Sequence, residues 1–544
     1  MDETLADVVD SAAEGVTMAK KTEMLRFFGG SIVTMDGSDP VAGELVTQGN
    51  RIAWLGRQGS APPEFRRAKA IDLKRRLLLP AFSDAHTHYL HYSQTLNDVD
   101  MHGCKSLKEA LDRIRKHAKE NPRGWVTGRN LDINSWKTGW PTAADLDRAV
   151  PDRPVAISTH DFHSLWANSK AMAVAKVTRD TVDPPGGRIG RDSKGNPSGM
   201  FYETADNLVA DHIPESTAAQ DERLIRKTQS IAHEVGVAAI GDMGGVDTLR
   251  VFASLAAKDQ LRLRLWKSIP LQHMDNAIAS GLRSGIGNAW VKVGSVKVFT
   301  DGALGSQTAW MYDPYKGDRT NRGICRTPRK EFEDIVRRAT SHGLSLCVHA
   351  IGDAAVGQAI DIMAKHRAKF PANQPPRIEH LQLLHPKDLK KLIRSKIIAS
   401  MQPSHLLTDR DIADKNWGTR SRNAFVLRTL WDSGVIMAFG SDVPIEPICP
   451  LDGIGAAVHR AKPKDRRGPW YPKQRLSVWE AVWGFTMGAA IAAGDPDQRG
   501  MLKPGYLADL VMLDRNIFTI DPRRIFDTQV DMTIVNGEIV HERT

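Results

Sequence analysis

Cysteine is scarce in this sequence. Its four cysteines, Cys104, Cys325, Cys347 and Cys449, lie far apart along the chain and form no CxxC pair. This spacing argues against a disulfide framework and against a zinc site built from thiolates. Because so few cysteines fit a reducing compartment best, we expect a cytoplasmic location.

Long apolar runs are missing, and so is a concentrated charge of one sign. No stretch approaches the ~20 apolar residues that span a bilayer, and residues 1–18 are acidic, without the apolar core of a secretory signal. The formal net charge is +10, but the basic residues occur in short clusters without interleaved aromatic residues. We therefore expect neither a membrane nor a nucleic acid among the partners.

What the sequence does contain is typical of a large globular protein. Of its 544 residues, 41% are hydrophobic and 25% are charged, and 44 glycines and 29 prolines are spread along the chain. This composition excludes a collagenous, coiled-coil or disordered protein. The length exceeds that of one ordinary compact domain, so a barrel with appended domains is the first expectation.

Both ends of the chain are rich in short β-type segments. Residues 23–80 alternate apolar runs with turn residues, and residues 500–544 repeat this texture, with Asn536 and Gly537 as a hairpin signal. Chain ends often lie close together, so we predict one β-sandwich domain made from both segments. Residues 1–22 are predicted to be a flexible leader.

The middle of the chain, residues 81–499, alternates apolar runs with amphipathic stretches, as βα repeats do. Each apolar run ends in polar side chains, which is typical of parallel barrel strands whose C-terminal ends carry an active site. Residues 101–220, rich in tryptophan, proline and glycine, break this rhythm. The sequence predicts an α/β fold: a distorted (β/α)8 TIM barrel with an inserted subdomain at about residues 101–220.

One of these apolar runs is followed by the pair His86 and His88. Alternate residues of a strand face the same side, so both imidazoles can reach one metal ion, although ordinary surface or core histidines show this spacing as often. Four later runs end in residues suited to a metal site, namely Lys297, His349, His380 and Asp442. The intervals between them can hold βα units of ~30 residues, which would bring these side chains to one rim.

Longer motifs accompany these residues in a fixed order, and with them the sequence resembles the amidohydrolase superfamily. Within it, the sequence is similar to the branch that contains the N-substituted formamide deformylases. The resemblance covers residues from about 24 to 540. Its most specific motifs are PAFSDAHTH, KVFTDGALGSQTA, HAIGDAA, IEHLQL, QPSH, GSDVPIEP and GYLADLVMLD.

The resemblance implies a centre of two divalent metal ions, expected to be zinc, at the C-terminal face of the barrel. It assigns six ligands: His86, His88 and Asp442 for the first ion, His349 and His380 for the second, and Lys297 as the bridge. A lysine ammonium has donors only and cannot bind a metal, so Lys297 would act as a carbamate. The alternative is an ordinary salt bridge from Lys297 to Asp301 or Asp442.

Candidate residues for substrate binding lie around these ligands. The resemblance matches His163 to a substrate-pocket histidine of the family, although a local hydrogen bond within a loop explains this residue equally well. The further candidates are Trp166, Asp301, Gln402 and His405. Aromatic side chains more often fill cores, and His405 is as readily an ordinary polar residue.

The chemistry that follows is hydrolysis of a C–N bond in a small amide, N-substituted formamide or related carbonyl compound by metal-activated hydroxide. Asp442 and Lys297 are the catalytic candidates, with Asp442 moving a proton from the nucleophile to the leaving nitrogen. Two alternatives stay open: a one-metal deaminase or cyclic amide hydrolase on the same barrel, and a non-catalytic ligand-binding barrel. A homo-oligomer is compatible with the sequence.

Overall fold

The computed structural model describes residues 23–133, 136, 140–159 and 164–544. They form two compact units. The first runs to Leu90 and resumes at Ile225, and the second spans His91–Leu224. The predicted leader at 1–22 and the candidate His163 lie outside the described residues.

The described part of the chain contains 22 strands. They are β1 (Met24–Val33), β2 (Val41–Gln48), β3 (Arg51–Gly56), β4 (Lys69–Asp72), β5 (Leu77–Pro80), β6 (Phe82–Thr87), β7 (Val99–Asp100), β8 (Val126–Leu131), β9 (Val155–Thr159), β10 (Ser164–Ala167), β11 (Gly187–Arg191), β12 (Pro197–Glu203), β13 (Val237–Asp242), β14 (Arg264–Pro270), β15 (Val291–Phe299), β16 (Leu346–Ala350), β17 (Arg377–His380), β18 (Ile398–Met401), β19 (Met437–Phe439), β20 (Leu510–Leu513), β21 (Val530–Val535) and β22 (Glu538–Glu542).

Helices alternate with many of these strands. The α-helices are Tyr89–Thr95, Leu107–Glu120, Ala143–Ala149, Ser169–Val174, Asn207–Ala210, Ala218–Glu234, Asp247–Ala257, Met274–Ala279, Arg329–Ser341, Asp353–Lys365, Pro386–Ser395, His405–Asn416, Leu427–Asp432, Pro450–His459, Val478–Trp483 and Ala489–Ala492. Short 3-10 helices span Pro63–Arg67, Leu271–His273, Arg367–Lys369, Gly418–Asn423, Pro472–Gln474 and Pro522–Asp527, and a π-helical turn spans Gly484–Gly488. Among the described residues, no helix combines the length and the hydropathy needed to cross a membrane.

Eight parallel strands form the barrel, in the order β6, β13, β14, β15, β16, β17, β18 and β19. The ring closes where the segment after β19 meets β6, through a parallel bridge between Thr87 and Val443. The strands are short apolar runs buried on both faces, as in β16, because helices cover the outside of the ring. The predicted distorted (β/α)8 barrel is therefore confirmed.

In the outer helices, apolar residues recur with the 3.6-residue period of an α-helix. In the helix Arg329–Ser341, Phe332, Ile335, Val336 and Ala339 are buried, while the charged residues between them face water. The next helix, Asp353–Lys365, is buried along most of its length. The first helix therefore buries one face only, whereas the second is covered on nearly all sides.

Strands from both ends of the chain share one sheet in the same unit. Its order is β22, β21, β20, β5, β1, β2, β3, and β4 also pairs with β1. A register shift between Phe28 and Ile32 lets β1 pair with β4 at one end and with β5 at the other. The structure has the expected sheet-rich domain from both termini, and its strands form one branched sheet where the sequence predicted a β-sandwich.

The inserted unit has its own sheet and its own core. The strand order is β11, β12, β10, β9, β8, β7, with parallel pairing only among β7, β8 and β9. Buried Leu111, Ile114, Leu146, Ile157 and Trp166 belong to one cluster of this core. An inserted subdomain is confirmed, and the compact unit extends to 91–224 where the sequence predicted about 101–220.

Candidate metal centre

Five barrel strands deliver the predicted ligands to one rim. His86 lies near the end of β6, Lys297 near the end of β15 and His349 in β16. His380 is the last residue of β17, and Asp442 follows β19 by three residues. Because these strands are parallel, their C-terminal ends meet on the same face of the barrel, as the sequence pattern predicted.

Three of these side chains form a compact buried cluster. His86, His380 and Asp442 each place one nitrogen or oxygen within 4.8 Å of the others. His88 joins them, because its Nε2 lies 3.3 Å from Asp442 Oδ1, and His86 Nε2 lies 3.4 Å from the same oxygen. One carboxylate oxygen therefore faces two imidazole nitrogens, a donor set that suits zinc and related divalent metals.

His349 and Lys297 extend the cluster on its other side. The His349 ring centre lies 4.6 Å from that of His380. Lys297 is buried, and its Nζ makes no hydrogen bond or ion pair with a described residue, so the alternative salt bridge to Asp301 or Asp442 is not formed. Burial lowers the pKa of Lys297. A lowered pKa favours the neutral amine, the form that can react with carbon dioxide.

Several buried polar atoms at this rim have no hydrogen-bond partner among the described residues. They are His86 Nε2, Lys297 Nζ, Asp442 Oδ1 and His405 Nε2. Buried polar atoms are nearly always hydrogen-bonded, so a convergent group of orphaned atoms needs a specific cause. Imidazole nitrogens and a carboxylate oxygen left free in this way fit a divalent metal ion.

Electrostatic effects keep the imidazoles of His86, His349 and His380 neutral and the carboxylate of Asp442 charged. Burial, reinforced by the charge of Lys297, lowers the pKa of His86 to about 4 and that of His349 to about 3, and His380 is shifted the same way. Burial alone would raise the pKa of Asp442, but the neighbouring imidazoles of His86 and His88 outweigh it and hold the pKa well below its usual range. Metal binding requires these protonation states at neutral pH.

Two of the predicted ligands have a left-handed backbone. The φ angle is 72° at His380 and 62° at Asp442, and neither residue is a glycine. The Asp442 N–H donates to the carbonyl of His86 at 2.8 Å, which helps to hold this conformation. Non-glycine residues in this region cluster at functional sites, where surrounding contacts impose the strain.

Sequence reasoning missed the residues that orient His86. Its Nδ1 lies 2.6 Å from Oε2 of the buried Glu379, and Oε1 of Glu379 accepts a 2.5 Å hydrogen bond from Arg377 Nε. Arg377 also donates to the carbonyl of Ala85 and to Ser400 Oγ. Charged residues at alternate positions of the short strand β17 were the available signal. The pair fixes the ring so that Nε2 faces the cluster.

Asp84 was also missed, and it ties two ligand-bearing segments together. Its Oδ1 accepts the N–H of His86 at 3.2 Å and the N–H of Ser441 at 2.9 Å. Burial raises the pKa of Asp84 to about 7. The backbone before Asp442 is thus tied to the end of β6.

The remaining predicted residues lie at different distances from the cluster. Gln402 Oε1 lies 2.8 Å from His380 Nδ1, and His405 Nε2 lies 3.9 Å from Asp442 Oδ2. Asp301 is buried and accepts the N–H groups of Trp310, Ile351 and Gly352. Burial raises its pKa to about 7, and its Oδ1 lies 3.6 Å from His349 Nε2.

Trp166 lies in the inserted unit, inside its hydrophobic core. Its Nε1 donates to the carbonyl of Thr142 at 2.9 Å, and its ring is fully buried. This is the environment of a packing residue, and a role in substrate binding stays a prediction for Trp166, as it does for His163.

Comparison with known proteins gives a consistent set of similarities. Residues 69–541 match the model of the amidohydrolase family. The protein YtcJ of Bacillus subtilis (strain 168) is 29% identical over 486 residues, which cover 87% of this chain and 90% of that protein. N-substituted formamide deformylase of Arthrobacter pascens is 25% identical over 541 residues, covering 96% of this chain and 98% of the deformylase.

A solved structure shares the fold over nearly the whole chain. The crystal structure of an uncharacterised metal-dependent hydrolase from Pyrococcus furiosus has a TM-score of 0.76 and 28% sequence identity. The likeness covers 91% of this chain and 100% of that one.

Proposed function

The chain belongs to the amidohydrolase family, and from this premise we propose that it hydrolyses a C–N bond of a small amide, N-substituted formamide or related carbonyl compound. The motif resemblance is confirmed at the level of the family, and the protein is a metal-dependent hydrolase of it. The choice of an amide or formamide rests on the chemistry of the site and on the likeness to the formamide deformylase.

The observation that carries this proposal is the buried convergence of His86, His380 and Asp442 with unpartnered donor atoms. We assign His86, His88 and Asp442 to one metal ion, and His349 and His380 to a second. Lys297, as a carbamate, would bridge them. Zinc is the proposed metal, because imidazole and carboxylate ligands in a buried site suit it. The four free cysteines support a cytoplasmic location.

A divalent metal at this site would polarise the substrate carbonyl and lower the pKa of water. In the reaction, the water oxygen bonds to the carbonyl carbon, the C–N bond breaks, and one proton of the water reaches the leaving nitrogen. Asp442 is placed to carry that proton, since its Oδ1 lies within the cluster of predicted ligands and its lowered pKa leaves it ionised at neutral pH. Glu379 holds the His86 ring in place meanwhile.

The first test is the metal content per chain, measured by elemental mass spectrometry on protein purified without chelator. About two metal ions per chain, together with release of amine from a formamide and amide panel, is the expected result. Lys297→Ala should lower the metal content per chain, because the bridging ligand is lost. A wild-type value of about one would sink the two-metal assignment, and none after supply of zinc and bicarbonate would sink the metal-dependent mechanism.

A further inference from the structure

The predicted metal ligands differ in how far solvent reaches them. His86 and Lys297 are fully buried, whereas the side chain of His88 is 32% exposed and that of His349 is partly exposed. Beside His349 stands Phe299, the last residue of β15, with 38% of its surface exposed. An exposed aromatic ring beside a partly exposed predicted ligand is well placed to meet a substrate.

Phe299 is in direct contact with two predicted ligands. Its ring centre lies 5.1 Å from that of His349, at an interplanar angle of 36°. Lys297 Nζ lies 4.9 Å from the Phe299 ring centre. A carbonyl group held at the cluster would therefore place its substituent within reach of this ring.

Arg326 packs against the Phe299 ring. Its guanidinium carbon lies 5.3 Å from the Phe299 ring centre. The backbone around it is fixed, because the Arg326 N–H donates to the carbonyl of Thr300 at 2.9 Å. Thr327 Oγ1 also donates to the carbonyl of Phe299 at 2.6 Å. These two hydrogen bonds at the end of β15 hold Arg326 next to the Phe299 ring.

Arg326 differs from the other arginines that stack on aromatic rings in this unit. Each of the others has a partner for its guanidinium: Arg26 has Glu44, Arg264 has Asp509, Arg377 has Glu379, and Arg460 donates to the carbonyls of Trp470 and Phe425. The guanidinium of Arg326 makes no hydrogen bond or ion pair with any described residue. Its five donors remain available to an anion.

We propose that Phe299 and Arg326 form a substrate subsite that selects a carbonyl compound whose planar apolar group ends in a carboxylate. The apolar group stacks on Phe299, and the carboxylate pairs with Arg326. This inference rests on the proposed hydrolysis for its substrate, but it concerns recognition and not the metal chemistry. It names the charge of the preferred substrate, which the family assignment leaves open.

The test compares three formamides that differ in one substituent: 4-formamidobenzoate, formanilide, and 4-(aminomethyl)formanilide. In the wild-type metal-loaded protein, kcat/KM should fall by about tenfold from the anion to the neutral compound, and further to the cation, as one charge-assisted contact predicts. The preference should weaken as ionic strength rises.

Arg326→Gln should bring the anion and the neutral compound to similar kcat/KM values, because the charge-assisted contact to the carboxylate is lost. Arg322→Gln is the matched control, because Arg322 is an exposed arginine in the same loop whose Nη1 lies 4.0 Å from Asp313. It removes the same net charge and should keep the preference. Phe299→Leu should lower kcat/KM for all three compounds, while the preference for the anion persists.

Calorimetric titration with 4-formamidobenzoate separates this inference from the proposed reaction. Binding that is about tenfold weaker in Arg326→Gln than in Arg322→Gln supports the subsite, even if none of the formamides is hydrolysed and the proposed reaction fails. Turnover without charge preference, or equal binding by wild type and Arg326→Gln, overturns the subsite.

Discussion

Asp442 Oδ1 lies within 3.4 Å of nitrogens of both His86 and His88, and its backbone N–H is bonded to the carbonyl of His86. Asp442→Asn keeps the size of the side chain but removes the base, so kcat should fall by about 10²–10⁴-fold. The measurement is kcat for an active formamide, with metal content recorded on the same sample. Full turnover of a metal-loaded Asn variant would remove Asp442 from proton transfer.

Glu379 is the second residue whose role can be isolated. Glu379→Gln weakens the contact that orients His86, so metal affinity should fall by about 10–100-fold. It also leaves the buried Arg377 guanidinium without its charged partner, which should lower the free energy of unfolding by about 3–5 kcal/mol. Metal affinity is measured by competition with a chelator, and stability by chemical denaturation.

Asp509→Asn is the control for this loss of stability. Asp509 forms a buried pair with Arg264, with Nε to Oδ2 at 2.7 Å and Nη2 to Oδ1 at 2.9 Å. The pair joins the first residue of β14 to the residue before β20. The predicted ligands lie at the opposite, C-terminal ends of the barrel strands. This variant should lose similar stability and keep its metal. Equal metal affinity in the two variants would contradict the role of Glu379.

At the scale of elements, the buried carboxylate of Asp301 fastens the loop after β15. Asp301 accepts the N–H of Trp310 at 2.9 Å, that of Gly352 at 2.8 Å and that of Ile351 at 3.1 Å. It therefore fastens the loop to the turn that follows β16, the strand of His349. Gly352 is required at this contact, since a Cβ there would meet the Trp310 carbonyl oxygen at 2.1 Å.

Asp301→Asn should loosen this loop, because an amide nitrogen cannot accept the N–H groups that a carboxylate oxygen accepts. We expect the free energy of unfolding to fall by about 1–3 kcal/mol. Hydrogen exchange of residues 302–310 should become faster. Asp318→Asn is the control, because Asp318 accepts similar bonds from Thr320 and Asn321 in the same loop but is exposed. Equal exchange rates in the two variants would refute the prediction.

The strands themselves were largely predictable from the sequence, and the loops were not. Apolar runs such as the one ending at His349 mark β16 because burial on both faces demands them. The contacts of Asp301 depend on where the loop after β15 meets the turn after β16. Local periodicity carries no information about such a meeting, so the structure alone shows that Asp301 fastens the loop.

At the scale of the whole molecule, stability should fall on acidification. His233 is buried, with Nε2 2.8 Å from the carbonyl of Arg262, and burial lowers its pKa to about 4. The unfolded chain binds this proton near pH 6.5, so between about pH 6.5 and 4 the unfolded state holds more protons. The stability that His233 contributes is complete above this window and is lost as the pH falls through it.

His233→Gln removes this titration and retains a donor for the Arg262 carbonyl. The difference in the free energy of unfolding between pH 7 and pH 4 should be smaller in the variant by about 3 kcal/mol. Denaturation at matched metal loading across this range measures it. Parallel pH profiles for wild type and variant would show that His233 does not cause the acid sensitivity.

The sequence by itself determined the β-rich ends, the barrel rhythm and the identity of the residues that meet at one rim, from His86 to Asp442. These follow from local rules, because period and strand-end position are written within a few consecutive residues. The tertiary structure decided the pairing of His86 with Glu379, which lies 293 residues further along the chain. It also decided the left-handed backbone at His380 and the contact of Phe299 with Arg326. Such features arise only when distant segments pack, since packing selects the rotamers, the strain and the partners that no local pattern specifies.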